Sequence, residues 1–470
     1  MIQGTTPEEL GVALSGDAYK QILMLGNRHR QEQVRLFYWR PSEGKLRYSA
    51  IIDPAIPIPL TEELIESGNV AFTDGYLMRI LSGVPKGAGI GMVHNHFSPN
   101  WQGLSRDDDT TESQHLAPVA TAATGLPLLG ITLGSDGFLS ARLWIMDKGT
   151  IKRREVDTVR VIGERFMVFP YPNKAPKMGG NRDRRIATTT VWGEAKQALL
   201  ESYRVGIVGL GSVGSMIAES LARMGVRDFV LIDRDRIESR NLDRTIGSTH
   251  MDAKLKRRKT SIAARGIRRA ATGSKPTIRQ IARWVQEDAA LEALLDCDFV
   301  FSCVDRHLPR YVLDHLAFSH LIPVINGGIA IEVPTVSKPS LDVSWQAHLV
   351  TPGRACMGCL EAYRYSLLGL ERAGMVDDPK YIAGASEVAA AYKSSENVFC
   401  FSMSCAAHET MQFLAYSLDA PSICQTEPKM YMGETGNVFR APARPCGDCG
   451  PDCLVKAYEA KALSLNQLLK

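Results

Sequence analysis

The chain has 470 residues, 45% of them hydrophobic and 23% charged, with a formal net charge of +4. That length holds two or three domains with ordinary cores, and the composition is that of a globular protein rather than a disordered or fibrous one. So small a charge gives no reason to invoke nucleic acid; no apolar run is long enough to span a bilayer and the N-terminal stretch lacks a signal pattern, so a cytoplasmic location is expected.

In chain order, "RLFYW" (35–39) and "GIGMVH" (89–94) read as strands. "LLGITL" (128–133) and "ARLWIM" (141–146) read as two more, joined by the turn chemistry of "GSDGF". Helices are expected over 61–72 and 107–123, each opened by a capping Thr or Asp. The stretch "VFPYPNKAPKMGGNRD" (168–183) is rich in Pro, Gly and charge and reads as a linker. Beyond it, "YRVGIVGLGSVGSMIAESLARMGVRDFVLID" (203–233) is strand, glycine turn, amphipathic helix, strand, and "DFVFSCVD" (298–305) and "IPVINGG" (322–328) continue the series. Such apolar runs suit a parallel sheet buried on both faces. The expected fold class is α/β: a first domain over 1–165, a linker over 166–184 and a second domain over 185–470.

In "GMVHNHFSPNWQGLSRDDD" (91–109), His94 and His96 end a strand, and alternation turns both imidazoles to one face. Asp108 can complete a three-ligand set with the fourth position left to water, which is the pattern of a hydrolytic zinc. The alternative is a polar loop whose histidines are only structural. Ser105 is placed to stabilise an oxyanion, and Glu32, at the start of an early strand, is the candidate base.

Gly209, Gly211 and Gly214 form G-x-G-x-x-G between a strand and a helix, with Asp233 at the end of the next strand, where an acid holds a ribose hydroxyl. The motif alone favours NAD. However, "LIDRDRIESRNLDRT" (231–245) adds Asp235, Asn241 and Arg244, and "KLKRRKT" follows. Cations gathered beside phosphates serve nucleotidyl transfer, where charge builds on the α-phosphate and the leaving pyrophosphate; magnesium needs a carboxylate such as Asp305. A zinc-containing NAD-dependent oxidoreductase and a non-catalytic scaffold are the competing readings. None of the ten cysteines precedes Cys297. "CMGC" and "CGDC" place Cys356, Cys359, Cys446 and Cys449 as a closed, structural zinc cage, with Cys453 a spare. Cys400 and Cys405 lie in an apolar helical stretch and read as core packing.

From about 185 to 455 the chain resembles the ThiF/MoeB-type adenylating enzymes that activate ubiquitin and its relatives, on "GLGSVG", "DRDRIESRNLDR", "CVDRHLPR" and the paired cysteines. The resemblance implies a Rossmann-like fold in which Asp233 binds the ATP ribose, Asn241 and Arg244 contact phosphates and Asp305 holds Mg2+. Lys259 best matches the family's phosphate lysine, with Lys256 as fallback. Arg185, with Arg184 as rival, would reach into the partner's site of a homodimer. The loop at 361–394 contains no cysteine, so a thioester is not assigned. Residues 1 to about 160 resemble the JAB/MPN (JAMM) metalloproteases, deaminase-like α/β domains with an upstream Glu, H-x-H and S-x-x-D, here Glu32, His94, His96, Ser105 and Asp108; Phe97 stands where a proline is usual. Together the resemblances imply a bacterial-type ubiquitin-like conjugation enzyme using ATP, Mg2+ and two Zn2+, one catalytic and one structural. Its expected partners are a ubiquitin-like protein with a glycine-ending tail and a conjugating-type enzyme.

Overall fold

Among the described residues the strands form two large sheets, one in each part of the chain, and a two-stranded ribbon in the first part. A computed structural model describes residues 7–25, 32–65, 71–180, 182–332, 334, 341–377 and 397–442. Two compact units divide the chain, residues 1–175 and 176–470.

In the first unit the strands are β1 (Glu9–Ser15), β2 (Val34–Glu43), β3 (Arg47–Ile52), β4 (Gly89–Asn95), β5 (Leu128–Leu133), β6 (Leu139–Asp147), β7 (Thr150–Glu155), β8 (Thr158–Ile162) and β9 (Phe166–Pro170). They form one mixed sheet in the order β9-β8-β1-β3-β2-β4-β5-β6-β7. Helix α1 (Gly16–Leu23) covers one face, where Val12, Trp39, Val93 and Ile131 pack. The other face, with Leu36, Ile90, Met92 and Trp144, lies under a helical run. That run is α2 (Arg106–Thr110), a π turn (Thr111–Leu116) and α3 (Ala117–Thr124), ended by left-handed Gly125. Burial on both sides explains why central β4 reads as an unbroken apolar run.

Two expectations need correction. Residues 61–72 are not one helix: Thr61–Glu63 is a short 3-10 turn, and Leu64–Ile65 pairs with Ala71–Phe72. Buried Glu63 is gripped by Arg79 at 2.7 and 2.6 Å, so a distant ion pair outweighs the local helical cap. The expected linker at 166–184 also begins as structure, because Phe166–Pro170 pairs antiparallel with β8. Its proline falls on a sheet edge, where a missing donor costs nothing.

In the second unit, α4 (Ile186–Ser202) leads into β10 (Arg204–Val208), α5 (Ser212–Arg223), β11 (Asp228–Ile232), α6 (Lys259–Ala270), β12 (Thr277–Ile281) and β13 (Phe299–Ser302). Then follow α7 (His307–Ser319), β14 (Val324–Glu332), β15 (Asp342–Val350), α8 (Phe399–Ser417), β16 (Lys429–Met432) and β17 (Asn437–Arg440). The sheet order is β12-β11-β10-β13-β14-β15-β16-β17. The first five are parallel; β15 to β17 extend the sheet antiparallel. The chain builds outward from β10 to β12, then returns to place β13 on β10's other side. Between β10 and β13 lies a topological switch point, where such sheets bind ligands at the carboxyl ends of their strands. No helix among the described residues is long and apolar enough to cross a membrane.

Candidate functional site

Strand register assembles the histidine cluster. β2 and β4 pair antiparallel with Val34 opposite His94. Asn95 N donates to Gln33 O at 3.3 Å and Gln33 N donates to the Asn95 side chain at 2.6 Å, which extends the register and brings Glu32 opposite His96. Because side chains alternate, Glu32, His94 and His96 share one face. Burial raises the Glu32 pKa above its ordinary value, and the charges of His96 and Asp108 reach it.

Asp108 arrives from α2. Ser105 caps that helix: its hydroxyl accepts from Asp108 N and its backbone N–H donates to Asp108 Oδ2, both at 3.1 Å, a reciprocal capping box, and the hydroxyl also donates to Oδ2 at 2.7 Å. Ser105 therefore holds Asp108 in place rather than standing free. The two Nε2 atoms are 3.1 Å apart, and Asp108 Oδ2 lies 3.7 Å from His94 and 3.5 Å from His96. Tetrahedral zinc with bonds of roughly 2.0–2.1 Å separates its donors by about 3.3 Å. The donor set fits zinc. Burial, helped by nearby Arg142, pushes His94 down to about 3, which leaves the neutral imidazole that ligates metal.

In the second unit the three glycines differ in purpose. Gly209 has φ +87°, and a Cβ there would lie 2.4 Å from Cys303 O. A Cβ on Gly214 would lie 1.9 Å from Gly209 O, so helix and turn touch there. Nothing lies within 4 Å of a Cβ built on Gly211, which leaves backbone open to an approaching phosphate at the start of α5. Asp233 is fixed by two backbone donors, Leu210 N to Oδ2 and Asp235 N to Oδ1, both at 2.7 Å; burial raises its pKa. Lys259 Nζ reaches Asp235 Oδ2 at 2.8 Å. Its burial opposes the ammonium charge, but Asp233, Asp235 and Asp305 together raise its pKa. Asp305 is exposed beyond the end of β13. The strand ends thus bring Gly211, Asp233, Lys259 and Asp305 to one edge of the sheet.

Residues 183–378 match the ThiF family. That match falls within the second unit. A "SAMP-activating enzyme E1" of Haloferax volcanii is 28% identical over 38% of this chain and 60% of its own length. A "Sulfur carrier protein ThiS adenylyltransferase" of Bacillus subtilis is 28% identical over 32% of this chain and 46% of its own length. The chain therefore spans about half the length of these relatives. Among solved structures, Escherichia coli MccB crystallised with ATP is 17% identical, covering 58% of this chain and 75% of its own at a TM-score of 0.42.

Other residues singled out in the second unit fall less evenly. Lys256, the fallback lysine, is exposed with a left-handed backbone, φ +46°, while Lys259 is the lysine turned to the aspartates. Arg244 donates to Arg240 O at 2.8 Å and pairs with Asp243 at 2.9 Å. The Asn241 side chain accepts from Glu238 N at 3.1 Å, capping a short turn. Trp284, just past β12, was not anticipated: the Arg234 and Arg306 guanidiniums lie 3.7 and 5.0 Å from its ring centre. Only its position after a strand end could have marked it.

Arg185 turns inward. It is 1% exposed, its guanidinium 3.1 Å from Glu201 and donating to Thr272 O at 2.9 Å and to Gly179 O. These bonds commit Arg185 to its own unit, whereas neighbouring Arg184 is exposed. Arg185→Met should cost about 3–5 kcal/mol, because it strands the Glu201 carboxylate in the interior. Denaturant unfolding checks this, and Arg184→Ala should leave the midpoint unchanged.

Cys356 and Cys359 are buried, their sulfurs 3.5 Å apart, with Asp314 accepting from Met357 N at 3.1 Å and holding the turn between them. Cys446 and Cys449 lie outside the described residues, as does the second half of the 361–394 loop. Cys405 is core-packed, its thiol 3.4 Å from Glu409. Cys400 is instead exposed in the first turn of α8, contrary to the core-packing expectation, because that turn faces solvent.

Proposed function

We propose that the ThiF domain adenylates the C-terminal carboxylate of a small ubiquitin-like or sulfur-carrier-type protein with a glycine-ending tail. The observation that carries this reading is the single cluster of open Gly211 backbone, anchored Asp233 and acid-gripped Lys259 at the switch point. A carboxylate oxygen of the tail attacks the α-phosphorus of ATP, the bond to the bridging oxygen breaks and pyrophosphate leaves. Asp233 positions the ribose and the α5 N-terminus faces the phosphates. Lys259 stabilises the negative charge that builds on them, with Asn241 and Arg244 as further contacts. Asp305 would hold Mg2+, which neutralises charge on the leaving pyrophosphate. Cys356, Cys359, Cys446 and Cys449 are proposed to hold a structural zinc.

The first unit is proposed to be a JAMM-type zinc peptidase that cuts after the same tail, in maturation or deconjugation. His94, His96 and Asp108 would hold Zn2+, which when bound supplies a Lewis acid for hydrolysis. Glu32 takes the proton from the attacking water and returns it to the leaving amine. Ser105 orients Asp108. Two activities on one tail suit a ubiquitin-like conjugation pathway with a separate conjugating-type enzyme, in the cytoplasm, the ThiF domain acting as a homodimer.

The deciding experiment is ATP–pyrophosphate exchange measured with and without a candidate carrier protein. Exchange that requires the carrier and its terminal glycine is the expected result. A nicotinamide absorbance change without exchange would identify an oxidoreductase, and neither signal would leave a tail-binding scaffold.

A further inference from the structure

Behind the histidine cluster lies a buried ion pair with no part in the peptidase chemistry above. Glu112 is 0% and Arg142 2% exposed. Arg142 Nε donates to Glu112 Oε2 at 2.7 Å, and its Nη2 meets the other carboxylate oxygen. The Trp144 indole donates to Oε2 at 2.6 Å, and Arg142 Nη1 donates to Thr132 Oγ1 at 2.7 Å. The pair occupies space that only a glycine leaves: a Cβ on Gly130 would lie 2.3 Å from Glu112 Oε2 and 2.8 Å from Arg142 Nε.

Its placement relative to the metal ligands is specific. Thr132 of β5 is the register partner of His94 in β4, and Gly130 is the partner of Arg142 in β6, so His94, Thr132 and Arg142 share one face across three neighbouring strands. On the helical side, Asp108 and Glu112 are four residues apart and point the same way. A π turn begins at Thr111, widening the helix at Glu112. Arg142 thus ties the helix that carries Asp108 to the strand beside His94. Buried pairs of this kind contribute little net stability, since desolvation offsets attraction, but a bidentate pair fixes geometry.

We propose that Glu112 and Arg142 are the positioning residues of the His94–His96–Asp108 centre, setting the depth at which the carboxylate meets the two imidazoles. This rests on the reading of that cluster as a zinc site. Because zinc ligands held loosely by their supports lose roughly 10–100-fold in affinity, the pair should show in metal binding itself.

The test uses the full chain, with zinc affinity measured by chelator competition and geometry by the visible spectrum of the Co2+-loaded protein. His96→Ala sets the background from the cysteines. Replacing both partners, Glu112→Leu with Arg142→Met, removes the charges without stranding either. The expected result is cooperative unfolding close to wild type, a 10–100-fold weaker zinc site and a weakened tetrahedral cobalt band. Arg142→Lys, which keeps the charge and loses the fork, should shift both readings the same way, and it decides the matter if the double variant does not fold. Unchanged affinity and spectrum in a folded variant overturn the positioning role alone. Wild-type chain with no His96-dependent zinc overturns the site and the positioning role together.

Discussion

Asp305→Ala should lower carrier-dependent ATP–pyrophosphate exchange at least 100-fold while leaving peptide cleavage at its wild-type rate. The carboxylate stands at the carboxyl end of β13, and its charge is felt by Lys259 across the switch point. Lys259 is 13% exposed and shared between acids, so it is already desolvated and oriented before a nucleotide arrives. Groups pre-set in this way against developing charge contribute roughly 10²–10³-fold each. Lys259→Ala should therefore match Asp305→Ala in size, whereas Lys256→Ala, at an exposed position, should have no effect. Both losses should fall on kcat more than on carrier affinity, because neither residue contacts the tail in this reading. Exchange retained in Asp305→Ala would remove the magnesium assignment, and a large effect from Lys256→Ala would move the phosphate contact off Lys259.

How much of this was legible before the fold depends on whether the information was local. The glycine turn is a local demand: positive φ at Gly209 and backbone contact at Gly214 leave few residue choices, so the motif marks its own geometry. H-x-H at a strand end is legible for the same reason, since alternation alone puts the two rings on one face. S-x-x-D can mean a capping box or a ligand position; the structure makes the capping box and sets the Asp108 carboxylate 3.5 Å from His96. Direction is where spacing fails. Arg184 and Arg185 are equally plausible by distance along the chain, yet one turns to solvent and the other into Glu201. Lys256 and Lys259 were separable only once the backbone was seen to put Lys256 in the left-handed region. Cys400 and Cys405, five apart on one helix, divide between solvent and core because the first turn of α8 projects outward. The Glu112–Arg142 pair spans thirty residues and depends on a space left by Gly130, so no local pattern announces it.

Glu32→Gln should reduce peptide-bond cleavage by roughly 10²–10⁴-fold, the usual contribution of a general base, without releasing zinc. Glutamine keeps the size and hydrogen-bonding shape of glutamate but accepts no proton. Glu32 stands across the strand pair from His96 and is half-buried, near enough for the His96 and Asp108 charges to act on it, without belonging to the three-atom donor cluster. Metal content should therefore hold at wild type in Glu32→Gln and fall in His96→Ala, although both lose cleavage. A base acting only in the reaction gives a drop in kcat with little change in KM. Chelation should abolish cleavage in the wild-type chain, and Zn2+ should restore it there but not in Glu32→Gln. Exchange by the second unit, assayed with Mg2+ resupplied, should survive every one of these changes. Should Glu32→Gln cleave normally while His96→Ala is inactive, the zinc centre stands and the base must be sought in another residue at the same rim; if neither variant differs from wild type, cleavage does not occur at this cluster.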